Sequence, residues 1–203
     1  MESPKRASTD HPVHDLIAER FSPYGFSDQP VSPEEIRSLF EAARWAASSY
    51  NEQPWNFIVA TADDPEAFDR LASCLVDANQ DWARRAPVLA LGCIRTKFSR
   101  NGLPNLVALH DLGLASANLC LEATARGLRV HMMAGILPDK ARALYQVPEG
   151  VQVVTGIAIG RAADPATLSD NYKSRDLAPR SRKPLAEFVF SGSWGKAPGF
   201  LGG

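Results

Sequence analysis

Between Leu106 and Arg126 the chain is apolar on nearly every side. Leu109, Leu112, Leu114, Leu119 and Leu121 recur among alanines and Gly113, with few polar residues between them. A surface helix confines its apolar residues to one stripe, so a helix of this kind belongs in the middle of a core or in an interface. Gly127 follows where a helix end favours a left-handed glycine. The rest of the fold has to be arranged around this segment. A chain of 203 residues is long enough to do so as one domain, with or without arms.

The flanking patterns predict alternating helices and strands. A short helix is expected from about His14 to Phe21, broken by Ser22-Pro23-Tyr24-Gly25-Phe26. Ser32-Pro33-Glu34-Glu35 holds a cap, a proline for the first helical position and a glutamate to close a capping box. Ile36, Leu39, Phe40 and Ala43 continue that helix. Trp55 to Thr61 reads as a strand, and Asp64-Pro65-Glu66 opens a helix running through Phe68, Leu71 and Leu75 to about Ala78. Pro87 to Ile94, Leu128 to Met133 and Val151 to Ile159 read as strands, with a helix from Asp139 to Tyr145. After Arg161 the pattern dissolves, leaving one apolar patch at Phe188-Val189-Phe190. Such a tail cannot build its own core and must lie on something else.

Several chemistries are excluded. A net charge of −1 leaves no basic excess for nucleic acid. No apolar run approaches the length needed to cross a membrane, and the first residues lack a signal-peptide core, so a cytoplasmic protein is expected. Cys74, Cys93 and Cys120 form no paired motif and are expected to be small buried apolar residues. His11 and His14 lack a third ligand for a metal. His110-Asp111 is expected as a core or interface pair, since no nucleophile motif accompanies it. There is no phosphate-binding Gly-x-x-x-x-Gly-Lys, no Gly-x-Gly-x-x-Gly and no Gly-x-Ser-x-Gly. If this chain is an enzyme, a cofactor supplies the reactivity.

Three polar clusters remain. Arg20-Phe21-Ser22 ends the first helix, Ser48-Ser49-Tyr50-Asn51-Glu52-Gln53-Pro54-Trp55 joins a helix to a strand, and Pro179-Arg180-Ser181-Arg182-Lys183-Pro184 lies in the tail. Arginines grip phosphates through paired donors, and side-chain amides read the edge of a heterocycle by offering donor and acceptor together. Together they describe a bound mononucleotide.

In this order the clusters resemble the FMN-dependent nitroreductase family, with its early Arg-x-Ser, its Ser-Ser-x-Asn-x-Gln-Pro-Trp after a helix and its late Arg-x-Arg. Asn79-Gln80-Asp81-Trp82 before Ala86-Pro87-Val88, and Gly127-Leu128 followed by Met132-Met133-Ala134-Gly135-Ile136, extend the likeness over roughly residues 16–190. The resemblance implies an α+β fold with a central, mostly antiparallel sheet flanked by helices, in an intertwined homodimer. It implies a disordered N-terminus over 1–12, an FMN-binding domain over 13–165 and a C-terminal arm over 166–203 that completes the FMN site and embraces the other protomer.

By the same resemblance Arg20, Phe21, Ser22, Arg180 and Arg182 hold the ribityl chain and phosphate. Ala47, Ser48, Ser49, Asn51 and Gln53 lie over the isoalloxazine from the partner subunit, and Asn79 faces its pyrimidine edge. Met133, Ala134 and Gly135 bring backbone to the N5 edge. Two departures stand out. Tyr24 replaces a second basic residue that many members carry, and a cation near flavin N1 and O2 stabilises the reduced anion. Ala134 replaces an acidic residue. The implied activity is ping-pong electron transfer from NADH or NADPH through FMN to nitro compounds, quinones or similar acceptors, with no protein nucleophile. The alternatives are flavin storage or sensing without turnover, or a different flavin reaction such as dehalogenation, flavin fragmentation or enone reduction. Trp55, Tyr24 and Tyr50 either line the substrate space or serve packing.

Overall fold

The structure, a computed structural model, describes residues 5–201. In chain order the helices are α1 (Asp15–Glu19), α2 (Pro33–Arg44), α3 (Pro65–Ala72), α4 (Asp77–Ala83), α5 (Ala108–Ala125), α6 (Pro138–Tyr145) and α7 (Asp170–Leu177). The strands are β1 (Trp55–Thr61), β2 (Val88–Arg95), β3 (Arg129–Met133) and β4 (Val151–Gly160). They form one sheet in the order β1-β2-β4-β3, and every pairing is antiparallel. The α+β expectation holds, and the sheet is wholly rather than mostly antiparallel.

Layers of helix cover both faces of the sheet, which explains why β2 is apolar without alternation. Leu89, Leu91 and Cys93 face a layer with Phe68, Leu71, Leu75 and Trp82. Val88 and Ala90 face the opposite layer with Leu39, Leu119 and Cys120. One extra residue in β4, between the partners of Gly92 and Cys93, shifts the register. The bulge lets Val153 and Ala158, at odd and even positions, face the same layer. All three cysteines are buried, as expected.

α5 packs mainly on α2 and under the sheet. Its Leu112, Ala115, Leu119 and Ala123 are buried, whereas Leu109, Gly113 and Ala117 on another side are exposed. Gly127 takes φ +72° just past the helix end, the conformation its position demands. The capping box at Ser32 forms fully: Ser32 Oγ accepts from Glu35 N, and the Glu35 carboxylate accepts from Ser32 N. Among the described residues no helix is long and apolar enough to cross a membrane.

Four expectations need correction. The helix expected from Asp64 to Ala78 is two helices, α3 and α4. Between them Val76 N donates to Gly135 O and Leu137 N donates to Cys74 O, so pairing with the 135–137 segment pulls the chain out of the helix. The patternless tail contains α7, which buries one residue, Asp176, and therefore carries no apolar stripe. The N-terminal stretch is anchored where disorder was expected: Ala7 N donates to Ala18 O, and Arg6 pairs with Asp15 and Glu19. Residues 1–4 lie outside the described residues. The first helix is also shorter than expected, because Arg20 is already extended.

Candidate functional site

The segment 47–53 is a constrained loop. Ser48 Oγ accepts from Gln53 N at 3.0 Å, and a 3-10 turn spans Ser49–Asn51. Tyr50, Asn51 and Gln53 all have positive φ, between 50° and 54°. Left-handed backbone at three non-glycine residues so close together is costly and persists only when surroundings enforce it. The supports are visible. Ser49 N donates to the carboxylate of buried Asp111 on α5 at 3.2 Å, Glu52 accepts from Ser99, and the Arg100 guanidinium lies 4.0 Å above the Tyr50 ring. Asn51 and Gln53 are exposed, with the Gln53 amide donating to Asn51 O. Ala47 is exposed beside them.

A second group is cationic. Arg20 Nη1 donates to Ser22 Oγ at 3.2 Å, and Arg180 Nη1 donates to Lys5 O and Ala18 O at 3.0 and 2.7 Å. Burial, and then the charges of Arg20 and Arg182 beside it, push Arg180 below the ordinary guanidinium range. The structure therefore brings together Arg20, Arg180 and Arg182, residues 160 positions apart in sequence. Among the described residues no carboxylate lies within 4 Å of any of the three. Phe21 turns instead toward Arg129, whose guanidinium lies 5.2 Å from its ring.

A third group closes the end of β3. Asn79 Nδ2 donates to Gly135 O at 2.9 Å, on the carbonyl that also accepts from Val76 N. A Cβ on Gly135 would stand 2.5 Å from Asn79 Nδ2 and 2.8 Å from a Val76 methyl, so any side chain here would have to displace both. Among the described residues the Gly135 N–H meets no acceptor. Met133 is buried and Ala134 exposed. Tyr24 packs nearby, edge-on to Trp82 and His131 and stacked on Tyr172 of α7. Its packing role is plain, as is that of Trp55, which lies against the core, while Tyr50 is exposed.

Within one chain the groups remain partly separate. Among the described residues no hydrogen bond joins loop 47–53 to Arg20, Arg180, Arg182, Asn79 or Gly135.

The nitroreductase family model matches residues 17–161, which includes the first and third groups and Arg20-Phe21-Ser22. The chain belongs to the nitroreductase family. A solved structure, described as an oxidoreductase containing FMN, superposes with a TM-score of 0.86 at 31% identity, covering 96% of this chain and 98% of its own. An uncharacterized 15.4 kDa protein of Mycolicibacterium smegmatis is 35% identical over 130 residues, 64% of this chain and 86% of its own length. The FMN reductase [NAD(P)H] of Bacillus subtilis is 28% identical over 156 residues, 68% of this chain and 61% of its own length.

Against the family pattern, two supporting acids were not evident from the motifs. Asp111 holds Ser49, and its signal was an acid inside an apolar helix. Asp176 accepts from Tyr24 N and Gly25 N at 2.9 and 3.0 Å, so α7 fixes the turn after Arg-x-Ser. Nothing local in the tail marks Asp176. His110, next to Asp111, is exposed in this chain.

Proposed function

We propose that this chain is an FMN-dependent oxidoreductase that takes electrons from NADH or NADPH and passes them, by a ping-pong sequence, to nitro compounds, quinones or similar acceptors. The observation that carries the reading is the convergence of Arg20, Arg180 and Arg182 with no carboxylate within 4 Å among the described residues. Like-charged guanidinium groups, held by the Ser22 hydroxyl and by backbone carbonyls, call for an anion with several acceptor oxygens, and the phosphate of FMN fits that donor set. The strained, exposed amides of Asn51 and Gln53 fit the polar edge of a flavin, and the unpaired N–H of Gly135 fits an acceptor nitrogen such as N5.

When bound, FMN supplies reversible redox chemistry. The residues of this chain bind and orient it. Arg20, Ser22, Arg180 and Arg182 hold the phosphate and ribityl chain. Asn79, locked by Gly135 O, would hold the pyrimidine edge, and the backbone from Met133 to Gly135 would hold the N5 edge. Ser48, Asn51 and Gln53 come from the partner subunit of a homodimer, consistent with their separation from the arginines within one chain. Ala134 in place of an acid is tolerated here, because the contact it flanks is made by backbone.

The purified protein should be yellow, lose its visible absorbance on anaerobic addition of NADH or NADPH, and regain it with a quinone. Initial rates should give parallel double-reciprocal lines. A protein that retains and takes up no flavin would overturn the assignment. One that binds flavin but is bleached by neither nicotinamide would favour storage or sensing.

A further inference from the structure

Resting on that reading, we propose that Arg175 on α7, held against Tyr24, raises the reduction potential of the flavin bound beside Asn79. Tyr24, Asn79, Trp82, Tyr172 and Arg175 line one cleft of about 390 Å³, and among the described residues Arg175 is the only cationic one on its walls. Its Nη1 donates to the Tyr24 hydroxyl at 3.1 Å, and the guanidinium lies 5.0 Å from the centre of the Tyr24 ring. Among the described residues no carboxylate lies within 4 Å of it.

The mount is fixed from both sides. The Tyr24 ring is wedged against Trp82, His131 and Tyr172. The Arg175 carbonyl accepts from Lys5 Nζ at 2.6 Å. The nearby acids are accounted for: Asp176 is occupied by the Tyr24 and Gly25 N–H groups, and Asp81 accepts from the Tyr172 hydroxyl. Asp77 and Asp81 also line the cleft, so without Arg175 the cleft would disfavour added negative charge. A guanidinium that is positioned but unneutralised acts on charge that appears only when the flavin is reduced.

The test is the midpoint potential of bound FMN in wild type, Arg175→Gln, Arg175→Lys and Tyr24→Phe, measured by equilibration with reference dyes. Arg175→Gln should lower the ratio of reduced to oxidised flavin affinity about tenfold, the scale of one charge acting across a partly hydrated cleft. That is a fall of about 30 mV for a two-electron couple. Arg175→Lys should restore most of it, and Tyr24→Phe should give a smaller fall. Affinity for oxidised FMN should stay near wild type in all three. If Arg175→Gln holds flavin at the wild-type potential, the proposal is wrong while the flavin assignment stands. A KM for NADPH raised selectively over NADH at unchanged potential would place Arg175 on the nicotinamide phosphate instead and also overturns it. A drop in oxidised-FMN affinity without a potential shift would make Arg175 a structural brace. Should Arg175→Gln fail to fold, Tyr24→Phe decides: no fall there overturns the proposal. A wild-type chain that binds no flavin removes both readings.

Discussion

Arg20 and Arg182 both repel Arg180 in the protein alone, and an anion between them would relieve the repulsion. Arg182 gives the cleanest test, because Arg180 also braces the N-terminal segment through Lys5 O and Ala18 O. A hydrogen bond to a charged group contributes about 1.5–3 kcal/mol. Arg182→Ala should therefore weaken FMN binding roughly tenfold to a hundredfold. Lys183→Ala, at an exposed neighbour, should leave it unchanged. Equal affinities from titration at fixed salt would remove Arg182 from the site. His131 makes a different prediction. Burial lowers its pKa from 6.5, outweighing the contact of Nδ1 with Pro23 O at 2.7 Å, which favours the charged ring. The unfolded chain takes up a proton near 6.5, so stability from this group is complete above that pH and declines as pH falls below it. Urea midpoints at pH 8 and pH 5.5 should therefore differ more for wild type than for His131→Gln, and equal differences would refute this.

The helices and strands show which parts of the fold can be read from side chains alone. The Ser32 box, β1 and the core of α5 are visible because cap chemistry and apolar spacing are local. The break between α3 and α4 is not, because Leu75 continues the apolar spacing while the cause lies 60 residues on, at Gly135. α7 is missed for the opposite reason: its sequence Asp-Asn-Tyr-Lys-Ser-Arg-Asp-Leu is polar apart from Tyr172 and Leu177, and it is fastened by a buried carboxylate and an aromatic stack. The motif residues were legible as a set, but their supports, Asp111 and Asp176, were not. Gly135 joins the two levels. Its replacement by alanine would drive a Cβ into Asn79 and Val76 and separate the very segments that end α3. Gly135→Ala should lower the thermal midpoint and weaken flavin retention together, by calorimetry and visible absorbance of one preparation. Loss of neither would show that the neighbours yield.

At the scale of the molecule, apolar surface is the outstanding demand. Leu106 is 90% exposed and Leu109 54%, on and beside α5, while the tail presents Trp194 at 93% and Phe200 at 80%. Patches of this kind mark interaction sites, and a second copy of the chain would cover α5 while delivering loop 47–53 to the arginines. Wild-type protein should sediment as a flavin-bearing dimer. Leu109→Asp, a charge on the exposed side of α5, should give monomers that have lost their colour, and monomers that keep it would refute shared sites. The reach of Asp176 back to Tyr24, 152 residues upstream, has a consequence in time. While the chain is being made, the turn that follows Arg20-Phe21-Ser22 waits for its partner until position 176 has left the ribosome. The sheet can form earlier from residues up to 160. Under the proposed function, flavin loading then comes late in the making of a new chain, and a nascent chain stalled short of residue 176 should be folded at its centre and colourless.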